Sequence, residues 1–178
     1  MDLPAGWVLV EDEFATLHLS PSNAGWGRQG DGSVAFDGIA IYRRPVAAPP
    51  DGGPVPVSGV GTTAHVLADW LSTRPQLVST KPKRVTVGGL PGFELDFHLS
   101  SNAGFLCGLP CVNLLNSGDN VDNFQYGIEG PWSVRATLID VPGGPTVMVA
   151  VDGPSGLAFD RLLAEAQPII ESLRFPTS

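Results

Sequence analysis

The chain has 178 residues, of which 43% are hydrophobic and 16% charged, a balance that fits one folded domain, spanning residues 1–178, rather than a disordered segment. Its formal net charge of −8 argues against a nucleic-acid partner, since Lys81-Pro82-Lys83-Arg84 is the one short basic run. No apolar run approaches the ~20 residues that span a bilayer, and the N-terminus lacks the features of a signal peptide. We therefore expect an acidic protein with no membrane insertion of its own. It is cytoplasmic if Met1 is the true start, and extracytoplasmic if a signal or anchor precedes it.

Short strands are predicted in the N-terminal quarter. Residues 7–10 and 15–19 have strand character, and hydrophobic and polar residues alternate in the second segment. These two segments favour an N-terminal β-hairpin. Residues 20–31 favour a loop, because Ser, Asn and Gly are frequent there. Strand character returns at residues 33–36 and 38–42.

One helix is predicted after a long loop. Residues 44–61 are rich in Pro and Gly, which remove hydrogen-bond donors and favour turns. Thr62 or Thr63 is suited to cap a helix that continues to residue 72 and ends before Pro75. Helical spacing predicts that its buried face carries Val66, Leu67, Trp70 and Leu71.

The remaining elements complete an antiparallel pattern. Residues 85–87 lead through a Gly-rich turn into residues 93–99, the clearest alternating strand, and the two segments favour a hairpin. Further strands are predicted at 124–128, 133–141 and 146–152, before a C-terminal helix at 157–173 that Pro168 is expected to kink. The order of elements predicts an α+β fold, an antiparallel β-sheet flanked by one helix on each side.

The two cysteines of the chain, Cys107 and Cys111, lie in the sequence CGLPC. A thioredoxin-type centre has two intervening residues and structural zinc needs four ligands, so both are disfavoured. A turn at Gly108 and Pro110 would bring the sulfurs within reach of a disulfide, which stabilises a local loop by about 2 kcal/mol. We favour this disulfide over a pair of reduced thiols, although it requires an oxidising compartment.

Polar residues align on one face of the clearest strand. Glu94, Asp96 and His98 alternate with apolar residues, so two carboxylates and an imidazole share one face of the sheet. Arg135 and Thr137 on a neighbouring strand are predicted to join them. This set is able to hold a hard cation or a polar ligand, and equally to form a solvated face with a cross-strand ion pair, which is the commoner arrangement.

Two further features of the sequence are candidates for a binding site. Trp26 and Trp132 lie in Gly-rich segments, where an aromatic side chain often contacts a ligand or partner. Gly59, Gly61 and Ala64 match a dinucleotide-binding pattern, but the preceding prolines exclude the required strand, and helix capping explains the segment better. Motifs typical of serine hydrolases, zinc proteases, P-loop proteins and EF-hands do not occur.

Three stretches, residues 85–97, 135–141 and 164–175, resemble uncharacterised actinobacterial-type domains. These domains are commonly extracytoplasmic and are similar in plan to the PsbP-like α/β/α sandwich. The resemblance covers roughly residues 84–176 and rests on structural residues. It implies a PsbP-like sandwich, an extracytoplasmic location and a non-enzymatic role, and it assigns no functional residue.

We therefore expect a non-catalytic binding or assembly module without a cofactor. Its unknown partner, a protein or a small molecule, would contact the Pro/Gly-rich loops and the tryptophans Trp26 and Trp132. The alternative is a metal- or small-ligand-dependent enzyme or carrier that uses the polar face of Glu94, Asp96 and His98.

Overall fold

The computed structural model describes residues 3–13, 16–21, 27–28, 34–35, 37–49, 51, 53, 55–104, 110–118 and 125–175. Thirteen strands and two helices lie in this part of the chain. They are β1 (Trp7–Glu13), β2 (Thr16–Pro21), β3 (Gly27–Arg28), β4 (Val34–Ala35), β5 (Gly38–Arg43), β6 (Pro45–Ala47), α1 (Ala64–Ser72), β7 (Leu77–Ser79), β8 (Lys83–Val87), β9 (Leu90–Leu99), β10 (Cys111–Ser117), β11 (Gln125–Glu129), β12 (Trp132–Asp140), β13 (Thr146–Pro154) and α2 (Leu157–Ser172).

The main sheet has eight antiparallel strands. Seven of them follow the order β1-β2-β5-β13-β12-β9-β7, and β8 pairs with β9 beside β7. The predicted N-terminal hairpin is confirmed as β1 and β2, and the predicted central hairpin as β8 and β9. A second sheet has the order β11-β10-β6, and β3 pairs with β4 alone.

Each face of the main sheet carries its own apolar core, as the alternation of strand residues requires. On the first face, Leu67 and Leu71 of α1 pack with Leu95 and Phe97 of β9 and with the second sheet. On the opposite face, α2 packs its buried side chains against β5, β12 and β13. The structure is therefore an α+β fold with an antiparallel sheet between two helices, as predicted.

Several short strands were not predicted. The loop expected over residues 44–61 contains β6, which pairs with β10, and Pro45 is tolerated because it starts an edge strand. The strand β10 was missed because nearly all its residues are buried, which leaves no alternation to recognise. The expected loop at residues 20–31 likewise includes the end of β2 and the short strand β3.

The prediction for α1 needs two corrections. Its buried face is Ala64, Leu67, Ala68 and Leu71, whereas Val66 is 38% exposed. Thr63 occupies the N-cap position but its side chain makes no capping hydrogen bond. The carboxylate of Asp140 on β12 instead accepts a hydrogen bond from the Ala64 N–H at 2.9 Å, so the sheet itself caps the helix.

The C-terminal helix is confirmed, and α2 continues through Pro168 to Ser172. Within the described part of the chain, neither helix combines the length and apolar character needed to cross a bilayer.

Candidate functional site

A groove lies between α2 and the β8–β9 hairpin. It has a volume of about 770 Å³ and is open to solvent along one side. Its lining comes from the edge strand, from the sheet floor and from one side of the helix: Lys83, Val85, Thr86, Val87, Gly88, Gly89, Glu94, Arg135, Leu163, Gln167, Ile170, Glu171 and Arg174.

One stripe of α2 forms the helical wall of the groove. Leu163, Gln167 and Ile170 follow each other at intervals of four and three residues, so they lie on one side of the helix. Arg174 extends this stripe beyond the last turn, where its guanidinium donates to the carbonyl oxygens of Glu171 at 2.8 Å and Leu173 at 2.6 Å. A cation at this end of a helix is favoured by the helix dipole.

The opposite wall is the hairpin. Its turn consists of Gly88 and Gly89, whose φ angles of 59° and 83° are those of a type I′ turn. A Cβ atom on Gly88 would lie 2.8 Å from the carbonyl oxygen of Leu173, so a glycine lets the end of α2 approach the turn. This contact fixes one end of the groove.

Ion pairs form the floor of the groove. Arg135 on β12 donates two hydrogen bonds of 2.7 Å to the two carboxylate oxygens of Asp96 and lies 3.6 Å from a carboxylate oxygen of Glu94. Lys83 on β8 approaches the same Glu94 carboxylate at 2.8 Å. The hydrogen bonds to Asp96 raise the pKa of the Arg135 guanidinium above its ordinary value, against the opposing effect of partial burial.

The structure brings together three of the predicted site residues. Glu94, Asp96 and Arg135 share the face that α2 covers in part, and Glu94 and Arg135 line the groove. His98 is on the same face, but lies about 13 Å along the strand from Glu94. It pairs with Ser133 in the register and is exposed. Among the described residues, no group of three His, Cys, Asp or Glu side chains is placed to hold a metal ion.

The other predicted site residues lie elsewhere. Trp132 begins β12 and packs against the core on the α1 side, which corrects the expectation that it lies in a loop. Trp26 lies outside the described residues. Cys111 begins β10 and is buried, whereas Cys107 is also outside the described residues, so the disulfide stays a prediction. Neither Trp132 nor any described residue of the Pro/Gly-rich segment 44–61 lines the groove, although both were expected to contact the partner.

The sequence predicted the strand at residues 85–87 and the C-terminal helix, but it did not place them together as the two walls of a groove. The basic run at residues 81–84 is visible in the sequence, but no sequence pattern indicates that α2 lies beside it. The interval of Leu163, Gln167 and Ile170 was a usable signal, because a polar residue between two apolar ones on one helix side marks a half-covered stripe.

A second set of ionisable side chains lies on the α1 side of the sheet. The Tyr126 hydroxyl donates to Asp152 at 2.5 Å, the rings of Tyr126 and Tyr42 are 5.0 Å apart, and the Tyr42 hydroxyl lies 3.5 Å from Nε2 of His18. Burial raises the pKa of Asp152 to about 7, and burial lowers the pKa of His18 to about 4. Both groups are therefore held toward their neutral forms.

The fold and groove define an antiparallel α+β sandwich with a charged, apolar-walled groove at one sheet edge. Comparison with known protein families, characterised proteins and solved structures finds no match to this chain.

Proposed function

We propose that this protein is a non-catalytic binding or assembly module whose ligand lies in the groove between α2 and the β8–β9 hairpin. The observation that carries this proposal is the charge of the groove. The chain has 18 acidic and 10 basic residues, yet three basic side chains, Lys83, Arg135 and Arg174, line the groove against two acidic ones, Glu94 and Glu171. Because Arg135 is paired with Asp96 in the groove floor, an acidic ligand would be attracted mainly by Lys83 and Arg174.

Two of these cations are open to a ligand. Arg174 is exposed, and the hydrogen bonds it makes to described residues go to backbone carbonyls. The Lys83 side chain is 64% exposed, and an ion pair at such a position contributes roughly 0–1 kcal/mol, so a ligand carboxylate can replace Glu94 as its partner.

The aliphatic side chains in the two walls of the groove also favour a ligand with an apolar group. Val85 from the hairpin faces Leu163 and Ile170 from the helix, and these three partly exposed aliphatic side chains gain free energy when a ligand covers them. The ligand that suits the groove best therefore carries a carboxylate beside a branched or aromatic side chain.

The geometry gives less support to an enzyme or metal-dependent carrier built on Glu94, Asp96 and His98. Both oxygens of Asp96 are held by Arg135, and His98 is too far along the strand to act with Glu94. Asp96 pairs with Arg135 across two strands of the sheet, and Glu94 lines the groove.

The PsbP-like plan and the extracytoplasmic location are finer parts of the same proposal. A sheet with one helix on each face supports the plan. Intact mass with and without reductant, followed by alkylation, tests the location: an oxidised pair of Cys107 and Cys111 is expected, and two freely alkylated thiols in protein from its native host would contradict it.

The groove itself is tested with small probes. N-acetyl-leucine and N-acetyl-phenylalanine each carry a carboxylate and an apolar side chain, and their amide derivatives lack the charge. In amide-detected NMR titrations we expect saturable shifts at groove residues such as Val85 and Ile170, at least fivefold weaker binding for the uncharged derivatives, and loss of binding in Gln167→Trp, which fills the groove.

Ala164→Trp is the matched control, because Ala164 is exposed on α2 and outside the groove lining. Binding that is equal in the two tryptophan variants, or shifts scattered over the surface, would contradict the proposal.

A further inference from the structure

We propose that the occupant of the groove is an extended acidic peptide segment of a partner protein, which adds to the open edge of β8 as an antiparallel strand. This inference rests on the proposed function and gives the ligand its chemical class. Addition of a peptide strand to a sheet edge is a general mode of peptide recognition.

The edge of β8 is available for such pairing. In the described sheet β8 pairs with β9 alone, so its other side faces no strand. In a two-residue type I′ hairpin the residues that flank the turn, Val87 and Leu90, form a hydrogen-bonded pair, and such pairs alternate along the ladder. The N–H and C=O groups of Lys83, Val85 and Val87 therefore point to β9. Those of Arg84 and Thr86 point to the open edge.

The position of Pro91 agrees with this assignment. Pro91 faces Thr86, a pair without hydrogen bonds between the two strands, so its missing N–H breaks no bond of the hairpin. The groove also follows the edge, because residues 85–89 line it without a gap. Alternate side chains point to opposite faces, so consecutive residues share one groove only where it reaches the backbone.

The side chains of the edge define the peptide. Lys83, Val85 and Val87 share the face that borders the groove, and Arg84 lies on the other face, with its guanidinium 5.8 Å from the ring of Phe93. An antiparallel strand would place apolar residues opposite Val87 and Val85, then acidic residues opposite Arg84 and Lys83. The expected pattern is apolar, any residue, apolar, acidic, acidic.

Charge favours a different protein over a second copy of this chain. Five of the ten basic residues lie in the groove lining, on β8 or just before it: Lys81, Lys83, Arg84, Arg135 and Arg174. Pairing of two β8 edges would bring two such basic sets together, and basic residues on an edge strand are a common protection against this self-pairing.

The test uses the full chain and the peptide acetyl-Ser-Val-Thr-Val-Glu-Glu-Ser-amide. Thr86→Pro removes the outward N–H of Thr86 and leaves the bonds to β9 in place, and Thr86→Ala is the matched control. We expect saturable binding in NMR titrations, at least tenfold weaker binding to Thr86→Pro, and a change of less than twofold for Thr86→Ala. Retained amide shifts of β9 show that the hairpin of each variant is folded.

Changes in the peptide separate the contribution of its backbone hydrogen bonds to binding from the contribution of its charge. Replacement of its threonine by proline is expected to abolish binding, and replacement of both glutamates by glutamine to weaken it at least fivefold at low salt. Equal binding of all three peptides would overturn the inference.

The outcomes also separate this inference from the proposed function. If the peptide binds Thr86→Pro as well as the parent but fails with Gln167→Trp, the groove is a ligand site and strand addition is wrong. Strand addition is equally wrong if N-acetyl-leucine binds and the peptide does not. If neither probe binds, both proposals fail and the basic run merely protects the edge.

Discussion

The two faces of the main sheet differ in how completely they are covered. On the α1 face, the helix and the second sheet together enclose a core in which Phe97 is 2% and Leu138 0% exposed. On the α2 face, one helix packs over β5 and β13 and leaves the corner of β8 and β9 open. The open corner carries charged side chains where the enclosed face carries apolar ones.

This difference in cover explains why the ionisable groups on the two faces have different surroundings. Burial shifts the pKa values of Asp152 and His18, on the α1 face, toward the neutral forms, whereas the hydrogen bonds to Asp96 on the α2 face raise the pKa of Arg135 and favour its charged form. The incomplete cover therefore leaves an open groove with charged side chains at this corner of the sheet, where the other face has an enclosed core.

The largest effect should come from Phe97, when it is compared with Glu94, a residue of the same strand that points to the opposite face. We expect Phe97→Ala to lower the free energy of unfolding by about 3–5 kcal/mol, because it leaves a cavity in the enclosed core. Glu94→Ala, at the open corner, should cost about 1–2 kcal/mol, because it removes the ion pairs to Lys83 and Arg135 without leaving a cavity in the core. Urea unfolding of both variants measures this, and equal losses would show that the two faces are covered alike.

A pH-dependent effect should separate the two buried groups of the α1 face. The pKa of Asp152 is raised from 3.8 to about 7, so the stability associated with its proton is lost as the pH rises through this range. The pKa of His18 is lowered from 6.5 to about 4, so stability is lost as the pH falls through that range. Between about pH 4 and 6.5 the two contributions have opposite slopes.

The difference in stability between each single variant and the parent should isolate the pH dependence of the group that the variant removes. Relative to the parent, Asp152→Asn should gain stability from pH 4 to pH 7 by up to about 4 kcal/mol, and His18→Gln should lose about 2 kcal/mol over the range, because His18 retains some solvent. Differences from the parent at each pH, from urea unfolding, remove the titration of all other groups. A difference that does not vary with pH would refute the assignment of these shifts to burial.

A smaller effect is expected for the ion pairs of the open corner. Arg135→Met should cost about 1–2 kcal/mol, since it removes the two hydrogen bonds to Asp96, and Arg135→Lys should recover less than half of this because a lysine cannot form the bidentate pair. Lys83→Ala, which removes one exposed pair, is the control and should cost less than about 1 kcal/mol. Thermal unfolding at low and high salt measures all three variants, and full recovery by lysine would contradict the bidentate role.

Much of the fold could be predicted because alternation is a local signal. Phe93, Leu95 and Phe97 identified β9 and its apolar face, and that face is covered by the core of the α1 side as expected. Strands without alternation, such as β10, and strands of three residues, such as β7, carry too little periodicity to recognise.

The candidate site was predictable only in part. The polar face of β9 and its link to Arg135 follow from strand alternation and from the pairing of β9 with β12, which places Arg135 opposite Asp96. The angle and position of α2 do not, because they depend on how Leu162, Ala166 and Ile169 fit the sheet. The groove exists only through that packing, so a local pattern can indicate the half-covered side of α2 but not the groove itself.

Amide hydrogen exchange along β8 tests most directly that this edge of the sheet is open. We expect slow exchange at Val85 and Val87, whose N–H groups point to β9, and fast exchange at Arg84 and Thr86, whose N–H groups point to the open edge. Equal protection at all four amides would show that the edge is already paired, and no partner strand could then add to it.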